Sequence, residues 1–261
     1  MNNTAFITGT SNGIGYELAY LFAKNKTNLV LAARSKDKLD SMAEDIKTKF
    51  GVSVKAYAND ISSLINCEEI YSDIKKENIR IDFLVNNAGF GNYGFFTDTD
   101  LQKELEMINL NIIALTYFTK VFATDMKQRG SGKILNVSST AAFQPGPLMA
   151  VYYATKAYVQ SFSEAIANEL KESNVIVTAL CPGPTESGFQ SAAQLNNVKL
   201  FTERKLPTSA EVAKFGYDAM MKGKTVAVHG LLNKIGALGA RFAPRKLLVK
   251  AVRKIQETRD R

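Results

Sequence analysis

Two hydroxyls, Ser138 and Ser139, end an apolar run, and Tyr152 and Tyr153 stand four and three residues before Lys156. Both tyrosine–lysine spacings bring the side chains together on a helix surface, so helix geometry alone does not choose between the tyrosines. A Ser, Tyr and Lys set without histidine suits one kind of chemistry, the delivery of a proton to a carbonyl oxygen while a hydride reaches its carbon. The single histidine, His229, is far away in sequence. A phenol titrates near pH ~10, too high for easy exchange at neutrality, and a neighbouring ammonium lowers that value by stabilising the phenolate. A serine hydroxyl can hold the substrate oxygen.

A hydride donor needs a cradle, and "TGTSNGIG", Thr8 to Gly15, has the composition of one. Gly9 permits the tight turn, Gly13 allows close backbone approach to a pyrophosphate, and Gly15 lets the following helix pack on the preceding strand. The phosphates then meet the amides and the positive end of the helix dipole. The Gly-x-x-x-Gly-x-Gly spacing differs from the usual dinucleotide fingerprint. A second apolar run ends in "LAARSKDK". Ala33 holds the position where a carboxylate would grip the ribose hydroxyls of NAD, and Arg34 follows, with Lys36 and Lys38 nearby. That pattern favours a 2′-phosphate, and hence NADPH over NADH. The third run ends in "AND", where Asp60 either accepts the adenine amino hydrogen or caps a turn.

The elements that must position these residues are legible as seven apolar runs: 4–8, 28–33, 54–58, 81–88, 132–138, 175–181 and 225–230. They are short, β-branched and apolar on both faces, as strands covered by helices on each side should be. Between them Ile14, Leu18, Leu21 and Phe22 follow one helix face, as do Leu105, Ile108 and Ile112, and Phe162, Ile166 and Leu170 repeat every four residues. Alternating strands and helices predict one α/β domain: a doubly wound, Rossmann-like parallel sheet of seven strands with helices on both faces. Ligands of such sheets bind beyond the carboxyl ends of the strands, and each candidate residue lies at the end of a run or in the segment after one.

The chain resembles the short-chain dehydrogenases/reductases over residues 4–230. "TGTSNGIG" is similar to the family's cofactor loop, "NNAG" (86–89) to its fourth-strand motif, and "YYATK" to its Tyr-x-x-x-Lys. The resemblance distinguishes the tyrosines: the family's tyrosine heads the motif and stands thirteen residues after the catalytic serine, as Tyr152 does from Ser139. It implies Ser139, Tyr152, Lys156 and Asn111 as the catalytic set. Lys156 also binds the nicotinamide ribose, and Asn111 holds a water that resupplies protons. It further implies a cofactor site built from Gly9, Ser11, Asn12, Gly13, Ile14, Gly15, Arg34, Asp60, Ile61, Asn87, Ala88, Gly89, Pro182, Gly183 and Thr185. Ser187 departs from the threonine usual after "PG" but keeps the hydroxyl. The implied activity is NADP(H)-dependent interconversion of a carbonyl and a secondary alcohol; the alternative is a non-catalytic NADP(H)-binding sensor or scaffold. A lid over residues 187–210 is expected, with Phe189, Leu195 and Phe201 facing an apolar substrate beside Phe90, Tyr93, Phe95 and Phe143. Homodimeric or homotetrameric assembly is expected.

Charge sets the last part of the chain apart. Of the net charge of +8, residues 230–261 carry nine Lys/Arg against two Asp/Glu, leaving the rest almost neutral at 24 against 23. The segment after Gly230 therefore reads as a basic helical extension of a domain covering residues 1–230. Leu231, Leu232, Ile235 and Leu238 form one apolar stripe, and Leu247, Leu248, Ala251, Val252 and Ile255 form a second. Such helices pack on the body or a second subunit, or lie peripherally on a membrane. Without interleaved aromatics they do not read as nucleic-acid binding. Cys67 and Cys181 lack metal-ligand spacing, so no metal site or disulfide framework is expected, and a reducing, cytoplasmic setting follows. No leader or membrane-spanning run is expected either.

Overall fold

Each of the seven expected runs contains a strand in the computed structural model, which describes residues 2–193 and 206–257. The strands are β1 (Thr4–Thr8), β2 (Asn28–Ala32), β3 (Val54–Tyr57), β4 (Phe83–Asn86), β5 (Gly132–Val137), β6 (Val175–Cys181) and β7 (Val226–Val228). All pair in parallel, in the order β3-β2-β1-β4-β5-β6-β7. The order reverses between β1 and β4, where Ile7 lies opposite Val85, and this is the crevice in which such sheets take ligands.

Both faces of the sheet are covered, which is why the strands are apolar throughout. On one face α1 (Gly13–Lys24) and α2 (Lys36–Phe50) bury Leu18, Phe22, Leu39 and Ile46 against β1 and β2. The helix Ser209–Met221, α8 in chain order, adds Val212 and Met220 to that layer. On the other face α3 (Leu64–Lys76) and α5 (Leu115–Arg129) bury Ile70, Ile74, Phe118, Phe122 and Met126. Phe6 meets Phe118 and Phe122 edge-on, at 5.0 and 5.5 Å between centroids. The sheet itself is of the doubly wound, Rossmann-like kind.

Two expected helix faces are displaced. α4 (Leu101–Ile108) runs into α5 through a π-helical turn, Asn109–Ala114. Leu105 is exposed and Ile108 and Ile112 are only half-buried, while Glu104, Met107, Asn111 and Phe118 face inward. The wider turn inserts one residue per bulge and breaks the simple period from which that face was read. On α6 (Ala150–Glu169) Phe162 and Ile166 are half-buried, as is Leu170 just beyond it; the fully buried stripe is Tyr152, Lys156, Val159 and Ser163. The rod from Leu101 to Arg129 is long and apolar enough to cross a membrane. In this fold its apolar side chains at Phe118, Phe122 and Met126 are directed at the sheet.

A short helix α7 (Phe189–Ala192) follows β6, and after β7 come α9 (Leu231–Phe242) and α10 (Arg245–Gln256). α10 places Val252 and Leu248 in a third apolar cluster with Met107, Tyr153 and Phe90. Leu247 and Ile255 of its expected stripe remain exposed, as does Ala251. Arg253 sits over the Phe95 ring at 4.8 Å. Leu195 and Phe201 of the expected lid lie outside the described residues.

Candidate active site

The carboxyl ends of β1, β2, β4, β5 and β6 open into one cleft. It is lined by Gly9, Ser11, Asn12, Gly13, Ile14, Arg34, Asp60, Ile61, Asn87, Ala88, Gly89, Ser139, Tyr152, Lys156, Pro182, Gly183 and Thr185. Gly15 and Asn111 stand behind this lining. Gly15 packs α1 under the turn, where a Cβ would meet the Gly9 carbonyl oxygen and the Asn87 amide at 2.3 Å each. Gly9 takes φ +71°, and a Cβ there would stand 2.7 Å from Ala88 Cα. Only glycine lets β1 and β4 come this close. Asn87 braces the turn by donating to the carbonyls of Thr8 and Gly9 at 3.0 and 2.9 Å. Asn12 heads α1 without placing its side chain on the first-turn amides, which leaves those donors for an anion.

The next strand end brings a basic side chain and no carboxylate to the cleft. Ala33 lines the cleft without a carboxylate, and the exposed Arg34 stands beside it. Lys36 is engaged by Asp40 at 2.5 Å. Asp60 lines the cleft but also caps its turn, with one carboxylate oxygen accepting from the Ser62 amide and hydroxyl at 3.0 and 2.8 Å. The turn-cap reading of Asp60 is therefore realised in this geometry.

The two tyrosines diverge. Tyr152 is buried against Phe189 at 5.3 Å, and its phenol lies beside the Ser139 hydroxyl. Burial pushes its pKa above the ordinary phenol range, and the Ser139 hydroxyl works against that rise. Tyr153 lies beneath α10, where its phenol accepts from Gln256; burial pushes it up to about 12, with Gln256 and Gln144 opposing. Tyr153→Phe should therefore act on stability rather than turnover. It strands the Gln256 amide, whose Oε1 already lacks a partner, at roughly 1–3 kcal/mol by chemical denaturation, with kcat/KM nearly unchanged.

The expected lowering of the phenol by its lysine is absent from this geometry. Lys156 Nζ donates to the Val137 carbonyl at 2.9 Å and stands 5.8 Å from the Tyr152 ring centroid. Burial brings Lys156 down to about 8. The Ser138 hydroxyl donates to the Lys156 carbonyl at 3.0 Å, anchoring this turn of α6 to the end of β5. Asn111 accepts from the Phe90 amide at 3.2 Å and donates to Thr155 at 3.0 Å. Its Oδ1 and Lys156 Nζ lie 2.8 and 3.5 Å from where a Gly89 Cβ would sit.

Sequence reasoning missed Gln256, Thr155 and the structural use of Ser138, because each acts through a partner remote in the chain. It also missed Met149 and Leu110, which line the cleft as ordinary apolar residues. Tyr93, Phe95 and Phe143 do not line it. Among the described residues no three His, Cys, Asp or Glu side chains are grouped to hold a metal. As a whole the arrangement can hold a dinucleotide along the strand ends and present a hydroxyl pair to a carbonyl.

Comparison with known proteins agrees with this geometry. The family model described as short chain dehydrogenase matches residues 3–197. The human very-long-chain 3-oxoacyl-CoA reductase is 38% identical over 184 residues, covering 68% of this chain. The chain spans 58% of that relative's length. A short-chain dehydrogenase from Sphingobium yanoikuyae, solved in complex with NADPH, superposes with a TM-score of 0.83 at 29% identity, covering 99% of this chain and 100% of that one. A bulky-bulky ketone specific alcohol dehydrogenase from Comamonas testosteroni gives 0.79 at 27% identity over 92% of each chain. With its sheet, its glycine turn and its matched residues, this chain belongs to the short-chain dehydrogenase/reductase family of oxidoreductases.

Proposed function

We propose that the chain is an NADPH-dependent reductase that converts the carbonyl of a bulky apolar substrate, a 3-oxoacyl thioester or large ketone, to a secondary alcohol. The observation that carries this reading is the Ser139–Tyr152 hydroxyl pair, facing a cleft walled by Phe90, Phe189 and Met149. The names of the human and Comamonas relatives support the substrate class.

The cofactor supplies the hydride. The turn from Gly9 to Ile14 would hold its pyrophosphate, Arg34 its 2′-phosphate, and Asp60 and Ile61 its adenine. Asn87, Ala88, Gly89, Pro182, Gly183 and Thr185 would complete its walls, and Lys156 would hold the nicotinamide ribose. Ser139 would donate a hydrogen bond to the substrate carbonyl oxygen, and Tyr152 would give that oxygen its proton. Lys156 then returns a proton to Tyr152 and is refilled through a water that Asn111 would hold beside Gly89. A homodimer or homotetramer is part of the proposal, supported by the exposed Leu101, Leu105 and Ile113 on the α4–α5 rod; a monomeric mass by light scattering would remove it. A reducing cytoplasmic setting is supported by Cys67 and Cys181, both free and buried, and a thiol-labelling assay on protein taken from cells checks it: found oxidised there, they would overturn it.

The test is NADPH oxidation over 3-oxoacyl thioesters of increasing chain length, bulky ketones, steroids and short aldehydes, with the alcohol identified. Efficiency should rise with apolar bulk; turnover confined to short aldehydes overturns the substrate class, and none at all overturns the reductase. The pH profile follows from Lys156, which holds its proton below about 8 and loses it above. Since reduction consumes a proton, kcat/KM for the carbonyl should fall as pH rises through that region, while alcohol oxidation should rise. A flat reduction profile up to the ordinary lysine range, near ~10.4, would contradict the proton route.

A further inference from the structure

We propose that α9 and α10 form a docking surface for an anionic lipid bilayer. Leu231, Leu232, Ile235, Leu238 and Phe242 are 72, 71, 59, 58 and 82% exposed. At about 100° per residue they fall on one side of α9. The opposite side holds the helix to the body. Ala240 is buried there, and Asn233 donates to the His229 carbonyl at 2.7 Å and packs against Gly183. The apolar stripe therefore points away from the protein, and no described side chain covers it to the extent of burial.

Charge decides what covers it. Between Leu231 and Gln256 the sequence has seven Lys/Arg and no Asp or Glu. Lys234 and Arg241 flank the α9 stripe, and Arg245, Lys246, Lys250 and Lys254 are exposed on α10 beside the exposed Leu247. A second copy seated on this face would set two such basic segments against each other with no acids between them. A bilayer with anionic headgroups answers both features: the stripe enters the acyl boundary, and the lysines and arginines meet the phosphates. Because Asn233 abuts Gly183 from the body side of α9, the docked helix would lie between the lipid and the Pro182–Thr185 edge of the cleft. The proposal is independent of which carbonyl the enzyme reduces.

The experiment is co-sedimentation of the full chain with phosphatidylglycerol/phosphatidylcholine vesicles and with phosphatidylcholine alone, at low and high salt. Ile235→Asp/Leu238→Asp and Lys246→Gln/Lys250→Gln are measured alongside, with NADPH affinity as the folding control. The native chain should partition onto anionic vesicles at least about tenfold better than onto neutral ones, and less at high salt. Each double variant should lose about tenfold or more while binding NADPH normally. Equal partition onto both vesicle types, no partition, or variants that bind as the native chain does would overturn the proposal. Light scattering that shows self-association dissolved by Ile235→Asp/Leu238→Asp, without vesicle binding, would overturn it in favour of a second copy.

Discussion

Tyr152→Phe should lower kcat by about 10²–10⁴-fold, the range for loss of a positioned proton donor, with NADPH affinity nearly unchanged. The substitution keeps the ring, so packing on Phe189 and Tyr153 survives, and only the hydroxyl beside Ser139 is lost. No other phenol can take its place. Tyr153 is tied to Gln256 beneath α10, and turning it toward Ser139 would break a buried hydrogen bond across 103 residues of chain. Single-turnover reduction with bound NADPH reads the chemical step directly. If Tyr153→Phe loses as much turnover as Tyr152→Phe, the assignment of the proton donor is wrong.

Arg34→Ala should raise the KM for NADPH by roughly 10–150-fold, corresponding to about 1.5–3 kcal/mol for a charge-assisted hydrogen bond, and leave NADH little affected. Lys36 pairs with Asp40 one turn along the helix at 2.5 Å and does not line the cleft. Ala33 offers NADH no carboxylate in compensation, so NADPH loses its advantage without NADH gaining one. Measuring kcat/KM for both cofactors at fixed carbonyl concentration separates this from a general loss of binding. An equal fall for the two would place Arg34 outside the phosphate contact.

The sheet and the strand-end positions of the site were legible because both depend on local pattern. A run such as "KILNV", apolar on both faces, has few uses except as a central strand, and a doubly wound sheet sends such ends to one edge. The helices were harder. The face drawn through Leu105, Ile108 and Ile112 failed at the π-helical turn, whose extra residue leaves no mark in composition. The pairing of Tyr153 with Gln256 was invisible for another reason: it depends on how α10 returns to the body. The amphipathic stripes showed that α9 and α10 were helices, but not that one faces outward while the other buries Val252.

The π-helical turn Asn109–Ala114 also fixes the phase of the rod that contains it. Deleting one of its six residues would let α4 and α5 join as a regular α-helix, gaining an ordinary hydrogen-bond ladder. It would also turn everything upstream by about 100° about the axis relative to Phe118 and Phe122. Met107 would leave the cluster it shares with Tyr153, and the buried Glu104 would part from Asn92, which now donates to it at 3.0 Å. The deletion would thus favour the helix taken alone and dislocate the wall of the cleft. Chain length through this rod is set by rotation, so gains and losses of single residues can be absorbed at its ends but not at its centre.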